Sequence, residues 1–396
     1  MVHKRRVVTV EERRARMVRR HHLGRTASDV TEAAGSLVGL HSSDAVSVFL
    51  AARARVGAFE PAALEGALYE DRSLGRVLGM RRTMFVLPVG LIPIVHAACT
   101  RSLAGRERKR TERFIEEAGI VKDGSRWLAK VETATLELLR AKGEATAAEL
   151  SAELPALRRK IPVGAGKKWE GEIGVSTRVL FLLATDGKIV RARPRGTWVS
   201  TQYRWAPMDV WFGFDIDEMG SEAARRELAR LWLASFGPGT LQDLKWWTGW
   251  TVAQTTEALS HAGAVEVEVE GGRGYLLPDD LDPVRTHRPR AALLPSLDPT
   301  VMGWYERDWY LGAHRSALFD RNGNAGPTVW WAGRVVGGWA QRPDGEIVFR
   351  LLEKLDTAAR RAIDAEARSL QAWADGIRVT PRFRTPLEKE LTEQPA

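Results

Sequence analysis

The feature that most restricts the fold is a pattern that returns along the chain: three helices, then two short strands around a tight turn. It is clearest at 126–205. "RWLAKVETATLELLRAKG", "TAAELSAEL" and "STRVLFLLATDG" place apolar residues at helical spacing. "KIVRARPRG" and "TWVSTQYRW" then read as two strands about a Pro-Arg-Gly turn. The order recurs at 221–277, where "EAARRELARLWLASFG", "TLQDLKWWTG" and "TVAQTTEALSHAG" lead into "AVEVEVEGGRGYLLP" with its Gly-Gly turn. Helix-turn-helix followed by a β-hairpin is the order of a winged helix. The repeats share pattern rather than sequence.

The N-terminal part shows the helices of the same pattern. Thr9 and Glu12 form a capping box opening a basic helix at about 10–22. Ser28 stands ready to cap a second helix, with Val30, Ala34, Leu37, Val38 and Leu40 at helical spacing. Val46, Phe49 and Leu50 continue a third, Pro61 starts a fourth, and "TMFVLP" is a β-like run. Residues 283–299 read as a linker, 300–352 as antiparallel β, and 356–376 as a helix with Ala359, Ile363, Leu370 and Trp373 on one face. The expectation is an α+β fold. Tandem winged helix-turn-helix units span 1–125, 126–210 and 211–285, and a C-terminal antiparallel β unit with a terminal helix spans 286–396.

Charge narrows the partner. Lys and Arg number 59 against 50 Asp and Glu, a net charge of +9, which favours a polyanion such as nucleic acid. A single cysteine, Cys99, excludes a disulfide framework and a multi-cysteine zinc site, and reads as a buried thiol. The eight histidines have no metal-ligand spacing, and the adjacent His21 and His22 read as surface polar residues. No cofactor or metal is implied: HExxH, GxSxG and the nicotinamide fingerprint do not occur. The most apolar stretch, 84–98, is interrupted by Pro88, Pro93 and His96 and is too short for a bilayer core of ~30 Å. The N-terminus has no apolar signal region. We therefore expect a soluble cytoplasmic monomer whose partner is duplex DNA and not a membrane.

Several basic groups are candidates for phosphate contact. "PVGAGKKW" at 162–169 fails as a phosphate loop, because the spacing between its glycines is wrong and Trp169 stands in the wrong place. It leaves Arg158, Arg159, Lys160, Lys167 and Lys168 on an inter-helix loop that either grips phosphates or is merely solvated. Arg106, Lys109, Arg110 and Arg113 line one side of a helix, with the same two readings open. Arg81, Arg82, Arg193 and Arg195 complete the candidate DNA-binding set.

The polar elbow His41-Ser42-Ser43-Asp44, inside "LVGLHSSDAVSVFLAARARV", joins two apolar helical patterns. It reads as capping: Ser43 or Asp44 at a helix N-terminus, worth ~1 kcal/mol, and His41 as a cation in the last turn of the preceding helix. It also reads as a cluster able to do chemistry.

The chain resembles the AlkZ/YcaQ family of winged-helix DNA glycosylases. The resemblance covers most of the length. It is most specific in "LLPSLDPTVMGWYERDWYLG" with "FDRNGNAGPTVWWAGRVVGGW", and in "SLVGLHSSDAVSVFLAARARV" with "MRRTMFVLP". It implies tandem winged helices curved around DNA, closed by a β unit, and removal of bulky or alkylated purines, including crosslinked ones. The family's active motif, two glutamines flanking a small residue, falls on His41 and Ser43. A relative has Asp at the second place, whereas here Asp44 comes one residue later. Phe85 stands where the family usually has histidine. An N7-alkylated purine is cationic and leaves without a general acid, so the protein must place a water and stabilise an oxocarbenium-like sugar. The resemblance makes His41, Ser43 and Asp44 the candidate catalytic set. The alternative is a winged-helix regulator that binds DNA without catalysis.

Overall fold

The computed structural model describes residues 5–393 except 165, 167–169, 217, 218, 286, 287, 375, 380 and 382. The chain forms two compact units, each assembled from separated stretches. One takes Met1–Leu64, Val86–Pro88 and Arg226–Ala396; the other takes Glu65–Phe85 and Val89–Arg225. The fold is α+β, with antiparallel sheets.

In the second unit the helices are set by their caps. Asp123 accepts from Arg126 N to open Gly124–Lys142, and Gly143, at φ 75°, ends it in a conformation suited to glycine. Thr146 and Glu149 form a reciprocal capping box that opens Ala147–Glu153. Val175–Thr185 follows, and the strands Ile189–Pro194 and Tyr203–Pro207 pair antiparallel with Arg191 opposite Trp205. Ala145–Thr146 adds to one edge of this hairpin and Leu74–Leu78 to the other. Leu128, Leu139, Leu150, Val179, Leu182 and Ile189 close the core beneath. The expected inter-helix loop at 162–169 is entered from a strand: Lys160–Val163 pairs with Gly171–Gly174 in a hairpin. Pro162 within a short polar-flanked run concealed the strand.

In the first unit, helices Leu241–Thr248 and Val252–His261 precede the hairpin Val265–Val269/Gly272–Leu276. Gly271 and Gly272, at φ 88° and 135°, make its turn. Val7–Val8 adds to it in parallel, with Val8 opposite Val269. The expected linker at 283–299 is partly core: Ala291–Leu294 is a wholly buried strand paired with Thr328–Trp331. Strands Arg334–Gln341 and Ile347–Leu351 complete an antiparallel sheet, and helix Thr357–Trp373 packs against it. Short helices at Pro299–Met302, Asp308–Leu311 and Arg315–Leu318 occupy the first third of the stretch read as β.

This unit is fastened by a buried polar chain. Arg55 donates two hydrogen bonds to Asp298, at 2.9 and 2.7 Å, and a third to Thr300 Oγ1 at 2.8 Å. His21 Nδ1 lies 3.0 Å from that hydroxyl, and its Nε2 lies 3.1 Å from Ser235 O. A carbonyl only accepts, so Nε2 carries the proton and the Thr300 hydroxyl donates to Nδ1. The surface placement expected of His21 is thus overturned. It is fully buried, stacked on Trp304, and burial holds its pKa well below 6.5. His22 is partly exposed. Cys99 is buried, as expected. No helix among the described residues is long and apolar enough to cross a membrane.

Candidate active site and DNA-facing residues

The elbow is built by an early helix stop. Asp29, not Ser28, caps Val30–Gly35, accepting from Thr31 N and Glu32 N; Ser28 instead donates to Glu32. The helix ends at Gly35, short of the predicted Leu40. Val38 then adopts φ 57°, which is rare for a β-branched residue, and Gly39 adopts φ 137°. These two residues turn the chain so that Leu40–His41 runs extended. His41 therefore does not sit in a helix's last turn, and the expected dipole contact is absent. It is buried at 7% exposure, Ser42 is buried, and Ser43 and Asp44 are half-buried.

Asp44 is the N-cap of helix Ala45–Arg53. Its Oδ1 accepts from Val46 N at 3.0 Å. Its other carboxylate oxygen and the Ser43 hydroxyl make no hydrogen bond among the described residues. Capping thus uses one oxygen of Asp44 and leaves the other, with the Ser43 hydroxyl one residue before it and the buried His41 imidazole two residues before that. Such a set can hold a water and present negative charge.

The second matched stretch is strained as well. Arg81 and Arg82, within the turn Met80–Arg82, both have positive φ, 52° and 65°. Two consecutive non-glycine residues in that region are costly, and such strain gathers at sites and switches. Phe85 is buried on Gly79, where an added Cβ would lie 3.0 Å from its ring. Arg82 pairs with the buried Glu107 at 3.1 Å, a carboxylate it shares with Arg178.

The remaining basic candidates divide by partner. Arg193 pairs with Glu70 at 3.0 Å and lies over the Tyr69 ring; Arg195 pairs with Glu149 at 3.6 Å. Lys160 pairs with Glu172 at 2.7 Å, and Arg159 donates to Ile120 O. Arg158 is exposed and has no hydrogen bond or ion pair among the described residues. Lys167 and Lys168 lie outside the described residues. Arg106, Lys109, Arg110 and Arg113 are exposed on helix Arg101–Glu117, while Arg108 on the same helix is pinned by Glu132 and Asp186.

Sequence reasoning missed one cationic pair. Arg13 and Arg307 are each 3% exposed. For Arg307 the signal was the interleaving of charge with aromatics in "WYERDWY"; Arg13, within "VEERRARM", carried none.

The model of the AlkZ-like DNA glycosylases matches residues 34–373, and the chain belongs to that family. Among solved structures it is similar to a Streptomyces sahachiroi DNA glycosylase AlkZ. The TM-score is 0.70 at 22% identity, over 94% of this chain and 98% of that one. At that identity the likeness concerns the fold. Among curated proteins nothing matches.

Proposed function

We propose that this protein is a monofunctional glycosylase that removes bulky or N7-alkylated purines, crosslinked ones included, from duplex DNA. The observation that carries this reading is the divided Asp44 carboxylate: one oxygen caps a helix and the other makes no hydrogen bond among the described residues, in the same short elbow as Ser43 and His41. In this reading the Asp44 carboxylate stabilises the oxocarbenium-like sugar as the base leaves. His41 orients the attacking water and takes its proton, and Ser43 holds that water by its hydroxyl. The leaving purine is already cationic at N7, so no general acid is required of the protein. Flipping brings the base out of the stack, a step cheaper for a damaged pair. The helix-helix-hairpin segments at 126–210 and 211–285 act as winged helices that hold the DNA backbone, and the protein works as a monomer.

The test is abasic-site formation in a duplex carrying one N7-alkylguanine, read by alkaline strand cleavage across a panel of small and bulky adducts. Release of the base from bulky adducts is expected. Tight DNA binding with no abasic site on any adduct, together with strong preference for one operator sequence, identifies a regulator instead.

A further inference from the structure

An open-mouthed pocket of about 1290 Å³, mouth included, is lined by Arg13, Arg14, Tyr305, Arg307, Trp309 and Arg315. Its floor is unusual. Elsewhere in this unit buried arginines have carboxylate partners: Arg16 has Glu12 and Asp280, and Arg55 has Asp298. Arg13 and Arg307 have no ion pair among the described residues. Arg13 donates weakly to Pro238 O at 3.4 Å, and Arg307 meets the Tyr310 phenol. Arg13 Nε and Arg307 Nε and Nη2 have no hydrogen-bond partner among the described residues. The nearby buried carboxylate, Asp243, is occupied by backbone donors: Thr240 N, Tyr305 N and Glu306 N, at 2.9, 2.8 and 2.9 Å. Asp243 acts on both guanidiniums, and Glu306 and Glu270 on Arg13, only through space. Neither arginine has a carboxylate in hydrogen-bond contact among the described residues, so an anion entering the open volume would make the direct charge-assisted bonds that these groups lack.

The walls say which anion. Arg13 lies over the Trp309 ring at 4.3 Å, and Arg307 over Trp246 at 4.6 Å, which fixes the guanidinium planes. Tyr305, 48% exposed, stands near Trp246 and offers a ring face to a planar ligand. The carboxylates of Glu270, Glu306 and Asp308 line the same pocket but are exposed. A cationic floor, an aromatic wall and acceptors at the rim match a phosphate attached to a base that bears exocyclic amino groups. Planar guanidinium forks suit phosphate, and aromatic faces accept any base. We infer that this pocket is a nucleotide site, with the phosphate on Arg13 and Arg307 and the base against Tyr305. Its residues are not those of the elbow, so its test does not depend on base excision.

The nucleotide is either free or the end of a DNA strand, and calorimetric titration separates the two. The probes are dGMP, deoxyguanosine, inorganic phosphate, and a duplex with a single-stranded overhang bearing either a 5′-phosphate or a 5′-hydroxyl. Expected is binding of dGMP, or of the phosphorylated overhang alone, about tenfold or more tighter than its unphosphorylated counterpart, the scale of a charge-assisted contact. Arg307→Gln is expected to abolish that difference at an unchanged melting temperature. Tyr305→Ala is expected to weaken the nucleotide while leaving inorganic phosphate unaffected. Equal binding of phosphorylated and unphosphorylated probes overturns the inference, as does a phosphate preference that survives Arg307→Gln. Should Arg307→Gln fail to fold, unchanged nucleotide affinity in Tyr305→Ala, a change at an exposed ring, overturns it alone.

Discussion

Arg55 and Asp298 meet as a two-pronged ion pair with both side chains sealed from solvent, 243 positions apart in sequence. Asp298 also accepts from Thr300 N at the start of a short helix, and Thr300 returns its hydroxyl to Arg55 and His21. Asp298→Ala strands the guanidinium without a counter-charge, and a broken buried pair costs about 3–5 kcal/mol. The double variant Arg55→Met/Asp298→Leu removes both charges and is expected to recover much of that loss. Urea unfolding of the three proteins checks this. A double variant as unstable as Asp298→Ala contradicts it.

Acid should weaken the fold through His21. Burial holds its folded pKa well below the unfolded value near 6.5, so the folded ring stays neutral while the unfolded one takes a proton. Stability from this group is therefore present above pH 6.5 and falls as pH drops below it, by up to about 1.4 kcal/mol per pH unit for one proton. His96, also lowered chiefly by burial, adds in the same direction. His21→Gln is expected to flatten the profile between pH 6.5 and 5. The check is unfolding free energy against pH for both proteins.

At the elbow, rate and stability should separate. His41→Ala and Asp44→Asn are expected to slow base release by about 10²–10⁴-fold while melting temperature barely moves, since Asn caps as well as Asp. Asp44→Ala should lose both, the cap being worth ~1 kcal/mol. Single-turnover excision of an N7-alkylguanine beside a thermal melt, with Ser43→Ala included, is the measurement. Undiminished excision in all of them moves the active site elsewhere.

Duplex affinity should depend little on sequence and fall steeply with salt. Arg158 has no hydrogen bond or ion pair among the described residues, so Arg158→Gln should reduce the slope of log affinity against log salt by about 0.9 if it contacts one phosphate. Arg193, already paired with Glu70, should change that slope less. Equal slopes for wild type and both variants, measured by fluorescence anisotropy across a salt series, remove these residues from the interface.

What sequence could reveal followed from local rules. Thr146 with Glu149, and Gly271 with Gly272, act within a few residues, so the helix and the turn they set were legible. Asp44's capping was legible for the same reason, but its open second oxygen was not. His21 was misread because its partners, Ser235 and Thr300, lie 214 and 279 positions away. Ala291–Leu294 passed for a linker because a short, fully buried strand has no alternation to reveal it. The stop after Gly35 was invisible because a buried valine at φ 57° contradicts its own preference.

The parallel contact of Val7–Val8 with Glu268–Val269 bears on how the chain is made. Once synthesised, Val7–Val8 wait for partners roughly 260 residues later, on the order of tens of seconds at ~5–20 residues per second. Until then an exposed pair of valines and an unfilled strand edge travel with the nascent chain. Biosynthesis thus has a vulnerable interval, in which a chaperone covering the N-terminus, or a tag fused there, alters yield without touching the finished molecule.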